Sequence, residues 1–209
     1  MDFYRRNLPH WQPNGAEYFV TFRLAGSLPR TVIEKLKEQR DRFISKNKSS
    51  DSYLKDKVAF EAHLFKTYDQ LLDKAATGPV WLKNEHIAKI AIESIHFYDQ
   101  KLYDLYAFVI MSNHVHMVFR HLKENHEIDF PVTDIMKSIK SYTGKESNKL
   151  LDRSGQFWQC ESYDRVIRDD LELENVILYT LSNPVKANLI TNWKDWPFSY
   201  CKPEFRESV

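Results

Sequence analysis

Residues 102–120 read LYDLYAFVIMSNHVHMVFR, and this stretch decides the fold. Residues 102–111 end in a continuous apolar run, the mark of a strand covered on both faces. Ser112 and Asn113 supply turn chemistry, and residues 114–120 return as the next strand. Side chains alternate along a strand, so His114 and His116 point to one side and Val115 to the other. Their Cα atoms are then about 7 Å apart, which lets both imidazoles converge on one divalent ion. The same three residues also read as two hydrogen-bonded histidines on an edge strand, and two ligands do not complete a site.

Working upstream, residues 17–24, EYFVTFRL, alternate and are rich in aromatic and β-branched types, so they read as a strand. Periodic apolar residues predict helices over 29–43, over 58–72 with Phe60, Leu64, Tyr68 and Leu71, and over 84–98 with Ile87, Ile90, Ala91, Ser94 and Ile95. The polar stretch 45–57, SKNKSSDSYLKDK, reads as a loop. Downstream, the pattern gives a helix over 134–151, a short strand within 157–168 and a helix over 170–182, limited by Pro184. The fold class expected is α+β, an antiparallel sheet with helices packed on it. Residues 1–209 form one domain in this reading, and 45–80 is a helical insertion within it.

Composition narrows the function classes. The chain has 209 residues, long enough for a core without disulfides or a structural metal. Cys160 and Cys201 form no motif and point to a reducing interior. The first residues, MDFYRRNLPHW, lack the apolar segment of a secretory signal, and no apolar run approaches the ~20 residues that span a bilayer. A cytoplasmic protein with no membrane partner is expected. Net charge is +1, so contact with nucleic acid has to come from local clusters of the 30 Lys and Arg.

The segment ENVILYTLSNPVKANL carries the second chemical signal. Leu173, Val176, Ile177 and Thr180 share one side of a helix and mark its core face. Tyr179 lies roughly 120° from that stripe, among Glu172, Asn175 and Asn183, with Lys186 if the helical phase survives Pro184. Core packing does not explain an aromatic residue there. Asn183 stands one turn beyond Tyr179 on the same face. Its amide oxygen suits a hard divalent ion, and the residue type equally suits a helix end before proline.

Together, SNHVHMVF and the downstream YTLSNPVKANL resemble the single-tyrosine HUH transposases, in particular the REP-associated tyrosine transposases and their insertion-sequence relatives. The resemblance extends to NLPHWQPNGAEYFVTFRL and GQFWQCESYDRVIRD, which is most of the chain outside 45–80. It implies a ferredoxin- or RRM-like HUH core, with His114 and His116 as ligands of Mg²⁺ or Mn²⁺, Asn183 as the third ligand and Tyr179 as the nucleophile. The implied reaction cleaves and rejoins single-stranded DNA near hairpin, palindromic repeat elements. It runs through a 5′-phosphotyrosine, and relatives act as monomers or homodimers. The phenol suits this chemistry, since it leaves as readily as it attacks and conserves the phosphodiester bond.

DNA contact is expected from Lys137 and Lys140 on the 134–151 helix, from Arg165, Arg168 and Lys186 around the tyrosine helix, and from Arg5 and Arg6 beside His10 and Trp11. Such groups position a strand rather than read it. Each cluster alone also reads as a solvated charged face. Two other readings remain at this stage. One is a domesticated, non-catalytic, sequence-specific DNA-binding module, which would not need Tyr179, His114, His116 and Asn183 together. The other is a metal-dependent hydrolase barrel, which is usually about 250 residues long and needs further ligands at later strand ends.

Overall fold

A computed structural model of the chain describes residues 15–47, 52–122 and 130–206. Its frame is a five-stranded sheet built from β1 (Glu17–Arg23), β2 (Tyr103–Ile110), β3 (His114–His121), β4 (Tyr163–Val166) and β5 (Ser199–Cys201), in the order β4-β1-β3-β2-β5. All neighbouring strands pair antiparallel. The helices are α1 (Arg30–Asn47), α2 (Tyr53–Asp73), α3 (Glu85–Tyr98), α4 (Val132–Leu150), α5 (Asp170–Leu181) and the single turn α6 (Asn183–Lys186). Without α1 and α2, the run β1-α3-β2-β3-α4-β4 is the ferredoxin-like arrangement. The α+β class expected from the sequence is therefore the one found.

Alternation along the central strands creates two separate cores. Tyr18, Val20 and Phe22 of β1, with Val115, Met117 and Phe119 of β3, pack beneath α3 and α4. Phe19 and Val118 face the other side and meet Leu173, Val176 and Ile177 of α5. The register sets Thr21 opposite His116 and Arg23 opposite His114, so both histidines belong to the α5 side. β3 lies at the centre of the sheet, which rules out the edge-strand reading of the pair.

One local expectation needed correction. Part of the polar 45–57 stretch is helical, because α1 runs on to Asn47 and α2 starts at Tyr53. Phe43 stacks on Phe60 with ring centroids 4.2 Å apart, and that contact holds the longer helices together. Pro184 limits the tyrosine helix as expected: α5 ends at Leu181, and Pro184 sits in the first turn of the separate α6, where a missing N–H is no loss. β5 was not foreseen, and three residues are too few to show alternation.

Candidate functional site

His114 and His116 are fully buried, with their Nε2 atoms 3.1 Å apart. Each ring is fixed through its other nitrogen. His116 Nδ1 lies 2.7 Å from Thr21 Oγ1, and His114 Nδ1 lies 2.7 Å from Asn113 Oδ1. The Asn113 amide is itself oriented, because its Nδ2 donates to the Leu72 carbonyl on α2 at 3.0 Å. Asn113 therefore presents its oxygen to His114, which can only accept. His114 carries its proton on Nδ1 and aims a bare Nε2 lone pair into the site.

Helix α2 closes the site from above and brings two carboxylates that the sequence reading did not include. Asp69 Oδ1 lies 3.1 Å from His116 Nε2 and 3.9 Å from His114 Nε2. Asp73 Oδ1 lies 3.7 Å from His114 Nε2. Asp69, His114 and His116 each offer one ligand atom, all within 4.8 Å of one another, so this trio could hold a metal ion. The spacing of Asp69 and Asp73, four residues apart on one helix face beside Leu64, Tyr68 and Leu72, was the available signal. Nothing in sequence alone said which face of the sheet they would meet.

Tyr179 projects from α5 into the same space, and its hydroxyl donates a hydrogen bond to Asp69. Its ring meets Phe19 and Phe65 at centroid distances of 6.2 Å each, and His116 at 6.1 Å. Lys186 Nζ sits 3.8 Å over the ring centroid. Tyr179, off the core stripe of α5, is thus covered by α2, and this explains an aromatic residue there. Asn183 is also fully buried, and neither of its amide atoms has a hydrogen-bond partner among the described residues.

Burial dominates the electrostatics. It pushes His114 down to about 3, with help from the facing His116, so the ring is neutral near pH 7. Burial works to raise Asp69, but the facing His116 outweighs it and holds the carboxyl below its usual range. Asp73 is pushed up to about 7 by burial and then by the Asp69 charge. The Tyr179 phenol is raised above its ordinary value by burial and by Asp69.

The expected basic residues that are described have different local settings. Lys137 and Lys140 line a groove of ≈ 830 Å³ between α4 and residues 155–164. Lys140 also donates to the Cys160 carbonyl at 2.7 Å. Arg165 is paired with Glu172 at 2.7 Å, and the Arg168 backbone N–H donates to the same carboxylate at 2.9 Å. Arg5, Arg6, His10 and Trp11 lie outside the described residues. No helix among the described residues is long and apolar enough to cross a membrane.

No family model matches the chain. A Haemophilus influenzae protein named as a REP-associated tyrosine transposase is 29% identical over 103 residues, covering 46% of this chain and 58% of that relative. The chain thus spans little more than half the length of this curated relative. The solved structure of a REP-associated tyrosine transposase bound to a REP hairpin superposes with a TM-score of 0.53 at 18% identity, over 95% of this chain and 82% of the other. At that identity the structural match speaks for the fold. The resemblance read from the histidine hairpin and the tyrosine helix is therefore supported twice: this chain is similar in sequence to a REP-associated tyrosine transposase and shares the fold of another.

Proposed function

We propose that the chain is a metal-assisted single-tyrosine DNA transposase of the REP-associated type, acting on single-stranded DNA that carries a hairpin. The observation that carries this reading is that the Tyr179 hydroxyl and two inward-facing imidazoles gather around one buried carboxylate, Asp69. The relative's name and the hairpin-bound structural neighbour supply the substrate class.

Tyr179 is the nucleophile in this reading. Its oxygen bonds to the scissile phosphorus while the bond to the 3′ oxygen breaks, leaving a 5′-phosphotyrosine and a free 3′-OH. A 3′-OH returning to the phosphorus reverses the step, so no external energy source is needed. His114, His116 and Asn183 would hold Mg²⁺ or Mn²⁺, and the buried, unpartnered amide of Asn183 and the buried Asp69 carboxylate beside the imidazoles fit a cation. A bound ion supplies positive charge that polarises the phosphate and offsets the nearby carboxylates. Thr21 and Asn113 orient the imidazoles, and Phe19 and Phe65 keep the phenol in place.

Lys137 and Lys140 in the α4 groove, Arg165, Arg168 and Lys186 are proposed to contact the DNA backbone, as are Arg5 and Arg6. The α1–α2 hairpin is read as an insertion in a single domain over 1–209. The deciding experiment incubates the chain with hairpin-bearing single-stranded DNA and Mn²⁺ and looks for a covalent protein–DNA adduct. Strong hairpin binding with no adduct under any divalent ion would favour the non-catalytic DNA-binding module instead.

A further inference from the structure

We propose that Asp69, delivered by α2, is itself a ligand of the ion held by His114 and His116. The result is a two-histidine, one-carboxylate site whose carboxylate also positions the nucleophilic hydroxyl. This rests on the reading that the histidine pair binds an ion. It adds a ligand from a helix that the sequence resemblance does not cover.

The argument starts from lone pairs. His114 Nε2 is an acceptor, because its Nδ1 proton is committed to the fixed Asn113 oxygen. Asp69 Oδ1 is a second acceptor. It is buried, on a residue only 1% exposed, and faces both imidazoles. Both converge on His116 Nε2, at 3.1 Å from each. A proton on that nitrogen can satisfy one of the two acceptors and leaves the other bare. A cation at the focus satisfies all three at once. Leaving a buried carboxylate oxygen unpaired costs heavily, whereas coordination removes that cost.

The donor set also points to the kind of ion. Imidazole suits transition metals, while carboxylate and amide oxygens suit hard cations, and Mn²⁺ satisfies both preferences. The two oxygens of Asp69 then do different things. Oδ1 faces the ion, and Oδ2 accepts from the Tyr179 hydroxyl. One side chain therefore sets the spacing between cation and nucleophile, with Asp69 acting on Tyr179 as a positioning residue.

The test measures metal binding by the full chain without DNA, following the free Mn²⁺ signal by electron paramagnetic resonance. Asp69→Asn and His114→Ala should each weaken Mn²⁺ binding by about tenfold or more. Asp69→Cys loaded with Co²⁺ should show a thiolate-to-cobalt charge-transfer band that the wild type and Asp73→Cys lack. This band reports coordination directly, so it decides the matter even if Asp69→Asn folds poorly. Wild-type Mn²⁺ affinity in Asp69→Asn, or no band in Asp69→Cys, overturns the Asp69 ligand while leaving the histidine site standing if His114→Ala still loses Mn²⁺. Unchanged Mn²⁺ affinity in His114→Ala removes the ion from both readings.

Discussion

The hydroxyl of Tyr179 donates to the carboxylate of Asp69 across 110 residues of chain. This contact ties α5 to α2 above the histidine pair, so the proposed nucleophile and the buried carboxylate share one environment. Burial and the adjacent carboxylate together keep the phenol protonated at neutral pH. A cation beside Asp69 is the natural means of reversing that preference.

Tyr179→Phe keeps the ring among Phe19, Phe65 and Lys186 and removes only the hydroxyl. Covalent adduct formation should vanish while hairpin binding stays within about twofold, as expected for a group needed in the reaction rather than in docking. Full cleavage by this variant, measured on labelled DNA, would eliminate Tyr179 as nucleophile.

Asn113→Ala removes the amide that holds His114 and fastens α2 through the Leu72 carbonyl. Loss of such an orienting partner should weaken Mn²⁺ binding about 10–100-fold. Because the Leu72 carbonyl also loses one donor while keeping the Ala75 N–H, thermal stability should fall by about 0.5–1.5 kcal/mol. Calorimetry with and without Mn²⁺ separates the two effects.

Two groups pull the pH dependence of metal-free stability in opposite directions. Folded His114 resists protonation down to about 3, whereas an unfolded histidine takes a proton near its ordinary value of 6.5. The unfolded state binds more protons in that window, so this histidine makes stability rise with pH from about 3 to 6.5. Asp73 keeps its proton in the folded state up to about 7, against 3.8 ordinarily. It makes stability fall as pH rises from 3.8 to about 7. Asp73→Asn should therefore raise the metal-free melting temperature at pH 8, change it little at pH 4, and steepen the rise between. Equal shifts at both pH values would contradict the raised Asp73.

Gly78 adopts φ +78, and a Cβ placed there would lie 2.1 Å from the Gly26 carbonyl oxygen. Backbone cannot yield as a side-chain tip can, so Gly78→Ala combines a left-handed strain with a clash. It should destabilise the fold by more than about 2 kcal/mol, read from urea unfolding. Gly15, with φ +77 and open space around its Cβ position, provides the control and should show only the conformational cost.

Lys137 lines the α4 groove, and Arg165 is already paired with Glu172. If the groove grips a DNA backbone, Lys137→Ala should weaken binding to different hairpins alike and lower the salt dependence by about one ion. Arg165→Ala should have the smaller effect, because its charge is largely spent within the protein. Titrations at several salt concentrations compare them.

Strands β1 to β4 and the histidine pair were legible because strand patterning is a local property, visible in HVHMVF without knowledge of the rest. The tyrosine helix was legible for the same reason, through a residue that broke its own core stripe. Asp69 and Asp73 were not, since their meaning comes from the docking of α2 over a histidine hairpin distant in sequence, fixed by Asn113 bonding to Leu72 across 41 residues. What Tyr179 meets off that stripe was not legible on the same account, because only the packed structure shows Phe65 and Asp69 beside it. Arg165 illustrates the converse, as a cation apparent in sequence whose partner seven residues on already claims it.

Both margins of the sheet end in brief segments, four residues in β4 and three in β5, against eight in each of β2 and β3. A second copy approaching either rim would find too few open amides to extend the ladder, which guards against edge-to-edge aggregation. Among the described residues, the sheet therefore offers little rim on which a further strand could be templated.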